Sequence, residues 1–515
     1  MRRKLKGGFL AFTITNALRW WARECPDRVA FCVDADTLSY AELYDWSARA
    51  GVQLQSLGIV AGDRVTTIGE NAMEYAVLAL ALVRIGAVFA PLSFRSSARE
   101  IAEASATLTP TLLFADAARE SIAAEALGSG ACHKLKRLAE ITALRNAPGP
   151  VPVLTHEPQA DDPAFVIGTS GSTGPPKGVV ETHRTVVAYS AEFVLMQPRC
   201  GSGASALVVG PFSSSSGTLL LMQFIVAGNT IYIERKFQPE RALQLLVQHR
   251  ITIFLAATIF FERIAALPEF AQAELSSLYF SQVGGSRISV SLLAAWQAKG
   301  VILRHAYGCT EAGGAWAARD DTALSAPEKC GRGAMFTDYA IRAENGGFAP
   351  PGVTGEILIR GASVTPGYWN NLEQTKKAIH NGWLHTGDLG VIDEGGNLTF
   401  VDRIKDIVIT GGLNVSAREL ESIISEVVGV EEVAVIAAHD ADFGETPLAV
   451  VYGDAGRFSC TTIIDHCMRQ LARYKVPRYV VIEAEPLPRL PSGKISKTAL
   501  RAKYKDAANL LTKIR

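Results

Sequence analysis

The sequence lacks an excess of charge of either sign. Its 515 residues contain 51 Lys plus Arg and 51 Asp plus Glu, so the formal net charge at pH 7 is zero. A protein whose main partner is nucleic acid or an anionic membrane usually presents a basic surface. The balance of charge therefore argues against both kinds of partner, while local binding of small anions stays open.

The sequence is also poor in cysteine and has no long uninterrupted apolar segment. The eight cysteines are scattered without a CxxC pair, which argues against disulfides and zinc and is typical of a reduced cytosolic protein. The basic start, residues 1–6, resembles a signal peptide, but polar residues from Thr13 interrupt the apolar run that follows. The most apolar stretch, residues 75–92, contains Arg84 and a proline near its end. We expect a cytoplasmic protein with no membrane span.

The length of the chain predicts more than one domain. Short β-branched runs alternate with Ala- and Leu-rich helical periodicity, which predicts α/β layers. A strand followed by a helix is expected over residues 37–52. Further strands of one large α/β domain are expected at residues 63–68, 87–90, 206–209, 229–233, 251–255 and 278–283.

Beyond Gly355 the strands become shorter and the turns richer in glycine, which predicts a β-rich subdomain with strands at residues 356–359 and 398–401. A charged segment, Asp402 to Asp406, then predicts a boundary between an N-terminal domain, residues 1–402, and a small C-terminal α+β domain, residues 403–515. In that domain we expect strands at residues 407–409, 433–437, 448–452 and 479–482, and helices at about 416–427 and 461–471.

The strongest local motif runs from Phe165 to Val180, FVIGTSGSTGPPKGVV. Small residues between two apolar strands allow backbone N–H groups to approach phosphate oxygens, hydroxyls add donors, and Lys177 adds positive charge. The motif is not the common kinase-type loop, since no glycine directly precedes Lys177 and no Ser or Thr follows it. A polyphosphate-binding loop is favoured over a flexible surface hairpin.

This segment resembles the phosphate-loop signature of the AMP-forming acyl-CoA synthetases, which belong to the adenylate-forming superfamily. An ordered series of signatures is much more specific than one motif. The resemblance covers nearly the whole chain and implies a large N-terminal domain of layered sheets and helices and a small, mobile C-terminal domain. The further signatures, in the family's order, are LSYAEL (38–43), YGCTE (307–311), GEI (355–357), GY (367–368), GWLHTGD (382–388), DRIKD (402–406) and PSGKI (491–495).

The resemblance implies an ATP site. Tyr307 is expected to pack on the adenine, Thr310 to bond a phosphate oxygen and Glu311 to hold Mg²⁺, an ion that prefers oxygen ligands and substrate phosphates. Without the resemblance, Tyr307 would be read as a core residue and Glu311 as a solvated acid. The full set of expected ATP-binding residues is Thr169, Ser170, Gly171, Ser172, Thr173, Gly174, Lys177, Gly285, Ser286, Tyr307, Gly308, Thr310, Asp388, Arg403 and Lys494.

The same resemblance implies roles for residues nearer the C-terminus. Asp388 is expected to accept hydrogen bonds from both ribose hydroxyls, with Arg403 beside the ribose or the α-phosphate. Lys494 is expected to reach the α-phosphate and the substrate carboxylate, and so to be catalytic together with Thr310 and Glu311. Lys405 matches the hinge about which the small domain rotates, and Gly411, Gly412 and Leu413 are expected at the coenzyme A tunnel.

Two segments depart from the family pattern. Relatives often carry a histidine or a bulky aromatic beside the acyl tunnel where this chain has Ser214, which implies a roomier or more polar pocket; the alternative is that the serines cap the following helix. The acyl pocket is expected to contain Phe212, Ser214, Gly284 and Gly313. At Ser416-Ala417 relatives commonly have an aromatic residue and a proline, which leaves the start of that helix open.

The resulting hypothesis is an acid–CoA ligase that uses ATP, Mg²⁺ and coenzyme A. It would convert an aromatic, alicyclic or medium-chain carboxylic acid to an acyl-AMP with release of pyrophosphate, and then to a thioester. Cys309 is read as packing, since the reaction needs no protein nucleophile. A stand-alone enzyme that loads a carrier protein's phosphopantetheine, and an inactive nucleotide-binding sensor, are the alternatives. The sequence leaves open a homodimer, the acid and the pathway.

Overall fold

The computed structural model describes residues 11–128, 134–169, 177–285, 288–312, 315–440, 443–489, 494–507, 511 and 513–514. Several predicted site residues lie outside this set, and so does the side chain of Thr169. These residues are Ser170, Gly171, Ser172, Thr173, Gly174, Ser286 and Gly313.

Helices and strands alternate along much of the described chain. The helices are α1 (Ile14–Glu24), α2 (Tyr40–Ser56), α3 (Met73–Arg84), α4 (Ala98–Leu108), α5 (Glu120–Gly128), α6 (Ala139–Thr142), α7 (His183–Met196), α8 (Ser215–Ala227), α9 (Pro239–Gln248), α10 (Thr258–Ala265), α11 (Val290–Gln297), α12 (Asp320–Ser325), α13 (Leu372–Ala378), α14 (Ala417–Ile424), α15 (Cys460–Gln470) and α16 (Lys497–Lys503).

The strands are β1 (Val29–Val33), β2 (Asp36–Ser39), β3 (Arg64–Ile68), β4 (Val88–Leu92), β5 (Leu112–Ala115), β6 (Leu135–Arg137), β7 (Pro163–Thr169), β8 (Lys177–Thr182), β9 (Ser205–Val208), β10 (Thr230–Ile233), β11 (Ile253–Ala257), β12 (Phe280–Gly284), β13 (Leu303–Gly308), β14 (Ala315–Ala317), β15 (Thr337–Arg342), β16 (Gly355–Gly361), β17 (Ile379–His380), β18 (Trp383–Ile392), β19 (Leu398–Arg403), β20 (Ile407–Thr410), β21 (Leu413–Ser416), β22 (Val430–Asp440), β23 (Gly444–Gly453) and β24 (Tyr479–Glu483).

The described residues fall into two compact units. The first contains those at 11–169, 177–339 and 358–385, and the second those at 340–357 and 386–514. Strands on both sides of residue 402 therefore belong to the second unit. The predicted domain boundary at Asp402 to Asp406 stays a prediction.

Two mostly parallel sheets build the first unit. In the described chain one has the strand order β14-β13-β12-β11-β9-β10-β1-β2, and the other has the order β6-β5-β3-β4-β7-β8. The antiparallel pairs are β1–β2 and β13–β14 in the first sheet and β7–β8 in the second. Parallel strands joined by helices confirm the predicted α/β layers.

The core of this unit explains the most apolar stretch of the sequence. Helix α3 is buried at every position from Met73 to Arg84 except Glu74, and one core cluster joins it to residues of both sheets, such as Phe31 and Phe89. The buried guanidinium of Arg84 donates to the carbonyl oxygen of Tyr44 and to Ser47 Oγ. The stretch is therefore a core helix followed by the buried strand β4, and no helix in the described part of the chain is long and apolar enough to cross a membrane.

Short antiparallel strands follow, as predicted. Strands β15 to β19 lie in a third sheet, where β18 pairs with both β17 and β19. In the second unit a further sheet has the order β21-β20-β23-β22, with β24 parallel to β23. Helices α14 and α15 share a core cluster with strands of this sheet. The α+β character of the C-terminal region is confirmed.

The predicted elements were mostly correct in position, with differences at their ends. Helix α14 ends at Ile424, three residues earlier than predicted, and strands β22 and β23 are longer than predicted. Strand β21 and helix α16 were not predicted. Both elements are short, with four and seven residues, and such short elements have little periodicity to reveal them.

Candidate active site

The predicted phosphate loop joins two antiparallel strands. Strand β7 ends at Thr169 and strand β8 begins at Lys177, and these two residues are register partners. The structure thus confirms the two predicted strands, and Lys177 begins a strand, not a helix. The two strand ends thus lie at one end of a sheet, and the residues between them, 170–176, lie outside the described residues.

Lys177 has two described contacts near the loop. Its Nζ donates a hydrogen bond to Gln374 Oε1 over 3.0 Å and lies 5.2 Å from the centroid of the Tyr368 ring. The ring face attracts the ammonium group. A positive charge is therefore held at the start of β8, on the side of Tyr368.

Glu311 is held through both its main chain and its side chain. The N–H of Thr365 donates to the carbonyl oxygen of Glu311 over 2.8 Å, and the phenol of Tyr368 donates to Glu311 Oε1 over 2.9 Å. Burial, with Glu311 as the second cause, raises the pKa of Tyr368 far above its ordinary value, so the phenol remains a donor. One segment, residues 365–368, fixes the position of this carboxylate.

The segment 365–368 is in turn hydrogen-bonded to strand β8 of the antiparallel pair β7–β8, which we call the phosphate hairpin. The N–H of Val180 donates to the carbonyl oxygen of Gly367 over 3.0 Å, and the N–H of Trp369 donates to that of Gly178 over 2.7 Å. Thr365 Oγ1 donates to the carbonyl oxygen of Val180 over 2.5 Å. Lys177 and Glu311 thus both contact Tyr368, which lies in a segment to which the sequence assigned no role.

The donor chemistry at Glu311 fits a magnesium ion. Tyr368 occupies Oε1, and no hydrogen-bond partner among the described residues occupies Oε2, so a hard oxygen ligand remains available. No group of three or more His, Cys, Asp or Glu side chains that could hold a metal occurs in the described ranges. A magnesium ion here would take further ligands from water or from substrate phosphates, as this ion commonly does.

Predicted ATP-binding and acyl-pocket residues lie at the carboxyl ends of two adjacent parallel strands. Gly284, at the end of β12, is the register partner of Ala306 on β13, and Tyr307 and Gly308 complete β13. Gly285 has φ +86°, a left-handed conformation that glycine adopts without strain. Ligands of open α/β sheets bind at such strand ends. Tyr307 is 6% exposed, so its ring is mostly covered by protein.

The predicted acyl-side segment follows β9. Phe212 is buried and its ring centroid lies 5.4 Å from that of Tyr75. Ser214 occupies the N-cap position of α8 but makes no side-chain cap; its Oγ donates to the carbonyl oxygen of Pro211 over 2.8 Å. The capping alternative is therefore wrong for the Ser214 side chain. Thr310 Oγ1 donates to Ser215 Oγ over 3.3 Å, which joins this segment to a predicted catalytic residue.

A buried asparagine, which the sequence did not reveal, anchors the acyl-side segment. Asn71 Nδ2 donates to the carbonyl oxygens of Gly210 and Glu234 over 2.9 and 3.0 Å, and its Oδ1 accepts from the N–H of Phe212 over 2.8 Å. At Gly217 a Cβ atom would lie 2.0 Å from the carbonyl oxygen of Pro211. The segment is thus held closely and cannot accept a side chain at that glycine.

A second unforeseen residue is Glu181, on β8. Its side chain is fully buried, and Oε2 accepts a hydrogen bond from Thr185 Oγ1 over 2.6 Å, while Oε1 has no partner in the described chain. Burial raises the pKa of Glu181 to about 8, and the charge of Glu311 adds to the rise. A carboxyl group that is largely protonated at neutral pH thus lies within electrostatic range of the candidate metal ligand.

In the second unit, Asp388 and Arg403 are register partners on β18 and β19. Arg403 Nε lies 3.4 Å from Asp388 Oδ1, with side chains that are 50% and 10% exposed. A carboxylate beside a half-exposed guanidinium can accept two hydroxyl hydrogen bonds. This geometry is compatible with the ribose site that the resemblance implies.

Lys405 and Lys494 share the same electrostatic surroundings. Both residues have exposed surface, yet partial desolvation lowers the pKa of each ammonium group, Arg403 lowers it further, and Asp388 opposes the change. The structure thereby places the predicted hinge residue and the predicted catalytic lysine near the Asp388–Arg403 pair, all within one compact unit.

The predicted coenzyme A residues form a tight hairpin. Gly411 and Gly412, between β20 and β21, have φ values of +56° and +79°, the pattern of a two-residue turn that needs glycine or asparagine. Leu413 is 49% exposed.

Further along, Ser416 Oγ accepts from the N–H of Glu419 over 3.1 Å. Ser416 therefore caps α14, which settles the start of that helix.

Comparisons with known proteins show the family to which the chain belongs. The profile of the family described as AMP-binding enzyme matches residues 18–369, and that of the AMP-binding enzyme C-terminal domain matches residues 419–494. The chain belongs to the AMP-binding enzyme family. The predicted class, acid–thiol ligases of the acyl-CoA synthetase kind, and the predicted fold of a large α/β N-terminal domain with a smaller C-terminal domain are both confirmed.

Individual relatives are similar over nearly their whole length. The long-chain-fatty-acid–CoA ligase FadD13 of Mycobacterium tuberculosis is 33% identical, over 91% of this chain and 93% of the relative. The feruloyl-CoA synthase of an Amycolatopsis species is 33% identical, over 94% and 97%. The crystal structure of ATP-bound MatB from Rhodopseudomonas palustris is similar with a TM-score of 0.87 and 30% identity, over 96% and 99%.

Proposed function

We propose that this protein is an acid–CoA ligase that activates a carboxylic acid with ATP, releases pyrophosphate, and passes the acyl group from acyl-AMP to the thiol of coenzyme A. The observation that carries the proposal is the cluster of Lys177, Tyr368 and Glu311, in which a held carboxylate and a held ammonium group flank the end of the phosphate hairpin. The ATP-bound relative and the family match support a nucleotide as its ligand.

The first half-reaction joins the acid to the nucleotide. A carboxylate oxygen attacks the α-phosphorus, the bond from that phosphorus to the bridging oxygen breaks, and pyrophosphate leaves. Such a substitution needs positioning and charge neutralisation more than covalent help. Lys177 and Thr310 would hold phosphate oxygens, Asp388 the ribose, and Lys494 the α-phosphate and the carboxylate. Magnesium bound at Glu311 would neutralise phosphate charge.

The second half-reaction forms the thioester. The thiol of coenzyme A attacks the acyl carbon, AMP leaves, and the thiol proton passes to solvent. We propose that the C-terminal domain turns about Lys405 between the two steps, so that Lys494 withdraws and the hairpin Gly411-Gly412-Leu413 borders the incoming pantetheine. Hinges of this kind consist of a few residues that absorb the change in backbone angles.

The acid is proposed to be aromatic, alicyclic or of medium chain length. The named substrates of relatives include a long-chain fatty acid and ferulate. The small side chain of Ser214 leaves space in the proposed acyl pocket, where related enzymes often carry a histidine or a bulky aromatic residue. The pocket around Phe212 is expected to combine apolar walls with a few placed polar groups.

The decisive experiment measures pyrophosphate release over a panel of acids, with and without coenzyme A. An acid-dependent thioester product supports the ligase. Rapid adenylate formation that coenzyme A leaves unchanged, with transfer to a phosphopantetheinyl carrier protein, would identify the carrier-loading alternative instead. Nucleotide binding without turnover on any acid would identify the sensor.

Size-exclusion chromatography with light scattering in the same preparation would test the homodimer.

A further inference from the structure

Tyr307 is contacted by a second aromatic residue, Tyr339. The phenol of Tyr339, on β15, donates a hydrogen bond to the carbonyl oxygen of Tyr307 over 3.3 Å. The two ring centroids lie 6.1 Å apart, with the ring planes at 60°, an edge-to-face arrangement of the kind that aromatic pairs favour. Tyr339 therefore contacts both the main chain and the ring of Tyr307.

The phenol of Tyr339 stays a hydrogen-bond donor. Burial raises its pKa far above the ordinary value, and Cys330, Cys309 and Glu192 add to the rise. Deprotonation at physiological pH is therefore excluded. A buried phenol that lost its acceptor would be costly, so the bond resists displacement of Tyr307.

The strand that carries Tyr339 is itself fixed by a buried carboxylate. Glu192, on α7, is 3% exposed. Its Oε1 accepts from the N–H of Phe336 and its Oε2 accepts from Thr337 Oγ1 over 3.0 Å. Both oxygens are thus used to hold the start of β15, two to three residues before Tyr339.

The turn before β15 leaves little freedom. The N–H of Ala334 donates to the carbonyl oxygen of Thr337 over 2.8 Å, and a second bond runs from the N–H of Thr337 back to Ala334. At Gly333 a Cβ atom would lie 2.4 Å from the Thr337 carbonyl oxygen. The turn and Glu192 together fix the backbone position of the start of β15, and therefore the position of Tyr339 on that strand.

We propose that Tyr339 and Glu192 are positioning residues for the base of the nucleotide: Glu192 fixes the start of β15, and Tyr339 on that strand fixes the ring and main chain of Tyr307. The proposal rests on the proposed function, in which Tyr307 packs on adenine. Neither residue touches the phosphate cluster of Lys177, Tyr368 and Glu311 through any contact described above. Loss of either residue should therefore weaken binding of ligands that carry a base and spare a ligand that has none.

The experiment compares AMP and magnesium pyrophosphate by titration calorimetry on the full chain. For Tyr339→Phe we expect the Kd of AMP to rise about threefold to tenfold, the range expected for one lost hydrogen bond, with the Kd of pyrophosphate changed less than about twofold. Glu192→Gln, which cannot accept both bonds, should show the same asymmetry. Tyr40→Phe is the matched control, because Tyr40 is also a buried phenol that donates to a main-chain carbonyl, that of Asn229.

The outcomes separate this inference from the proposed function. Equal weakening of AMP and pyrophosphate, or an unchanged AMP Kd, in both the Tyr339 and the Glu192 variant would overturn the inference while the ligase proposal stands. Wild-type protein that binds neither AMP nor ATP would overturn the proposed function first. Thermal unfolding monitors folding in each variant, and if Tyr339→Phe does not fold, Glu192→Gln carries the test.

Discussion

The phenol of Tyr368 donates a hydrogen bond of 2.9 Å to Glu311 Oε1, so one carboxylate oxygen is held in place while the other remains available. Tyr368→Phe should leave the fold intact but remove the hydrogen bond that holds the Glu311 carboxylate. That bond contributes about 1 kcal/mol or more, since hydrogen bonds to charged groups are stronger than neutral ones. We expect a several-fold rise in the Mg²⁺ concentration needed for half-maximal ATP-induced thermal stabilisation.

Tyr40→Phe is again the control for a lost buried phenol. Binding of AMP without metal should be unchanged in the Tyr368 variant, because the hydrogen bond acts on the metal ligand alone. An identical Mg²⁺ dependence in wild type and variant would show that Tyr368 does not position Glu311.

Lys494 and Lys405 should affect opposite half-reactions. Lys494→Ala should lower acyl-AMP formation by at least about 100-fold, the order expected for loss of a charge at the reacting phosphate, yet still convert supplied acyl-AMP to thioester. Lys405→Pro should spare adenylation and slow thioester formation. Single-turnover assays of each step make the comparison, and equal losses in both steps would contradict the assigned roles.

The rate of adenylation should depend on the charge of Lys494. Because desolvation and Arg403 lower the pKa of Lys494, the ammonium form is lost at a lower pH than for an ordinary lysine. Acyl-AMP formation should fall as pH rises through that lowered pKa, whereas thioester formation from supplied acyl-AMP should not follow the same curve. The arginine in Lys494→Arg stays charged at every accessible pH. The acyl-AMP formation that this variant retains should therefore no longer fall at alkaline pH.

Glu181 should make the stability of the protein depend on pH. Its pKa is raised from 4.5 to about 8 in the folded state, so the folded protein binds this proton more tightly than the unfolded chain. The stabilising contribution is complete below about pH 4.5 and is lost as pH rises toward 8, by at most about 1.4 kcal/mol per pH unit. Glu181→Gln should flatten the thermal stability profile between pH 5 and pH 8, and parallel profiles for variant and wild type would refute this.

Asn71 should matter for both stability and acid binding. Asn71→Ala removes three buried hydrogen bonds that hold Gly210, Phe212 and the carbonyl of Glu234. We expect a loss of about 2–4 kcal/mol in the free energy of unfolding and a larger rise in KM for the acid than for ATP. Urea unfolding and steady-state kinetics provide the two measurements; equal effects on both KM values would remove the specific link to the acyl side.

The sequence predicted the parts of this protein that follow from periodicity and motif. The strands predicted at residues 63–68 and 251–255 appear at 64–68 and 253–257, and strands β7 and β8 flank the predicted phosphate motif. Apolar strands and obligatory glycines leave a local signal that a single chain displays.

The supporting contacts could not be predicted, because they join residues far apart in sequence. Tyr368 and Glu311 are 57 residues apart, and Asn71 and Phe212 are 141 apart. Nothing local distinguishes a phenol or an amide that will meet such a partner. The serine run left a helix cap as one alternative, whereas the Ser214 hydroxyl instead bonds locally to the Pro211 carbonyl, as short polar side chains often do.

The carboxylate of Asp402 accepts hydrogen bonds from Ser416 Oγ over 2.5 Å and from the N–H of Arg418 over 3.0 Å. If the chain pivots at Lys405, Asp402 precedes the pivot and both donors follow it, so these bonds act as a latch that must rupture before the rotation can proceed. The switch between the two chemical steps then carries an activation barrier of its own. The height of that barrier would depend on Asp402, so a substitution of Asp402 would change the rate of rotation without altering a residue assigned to either chemical step.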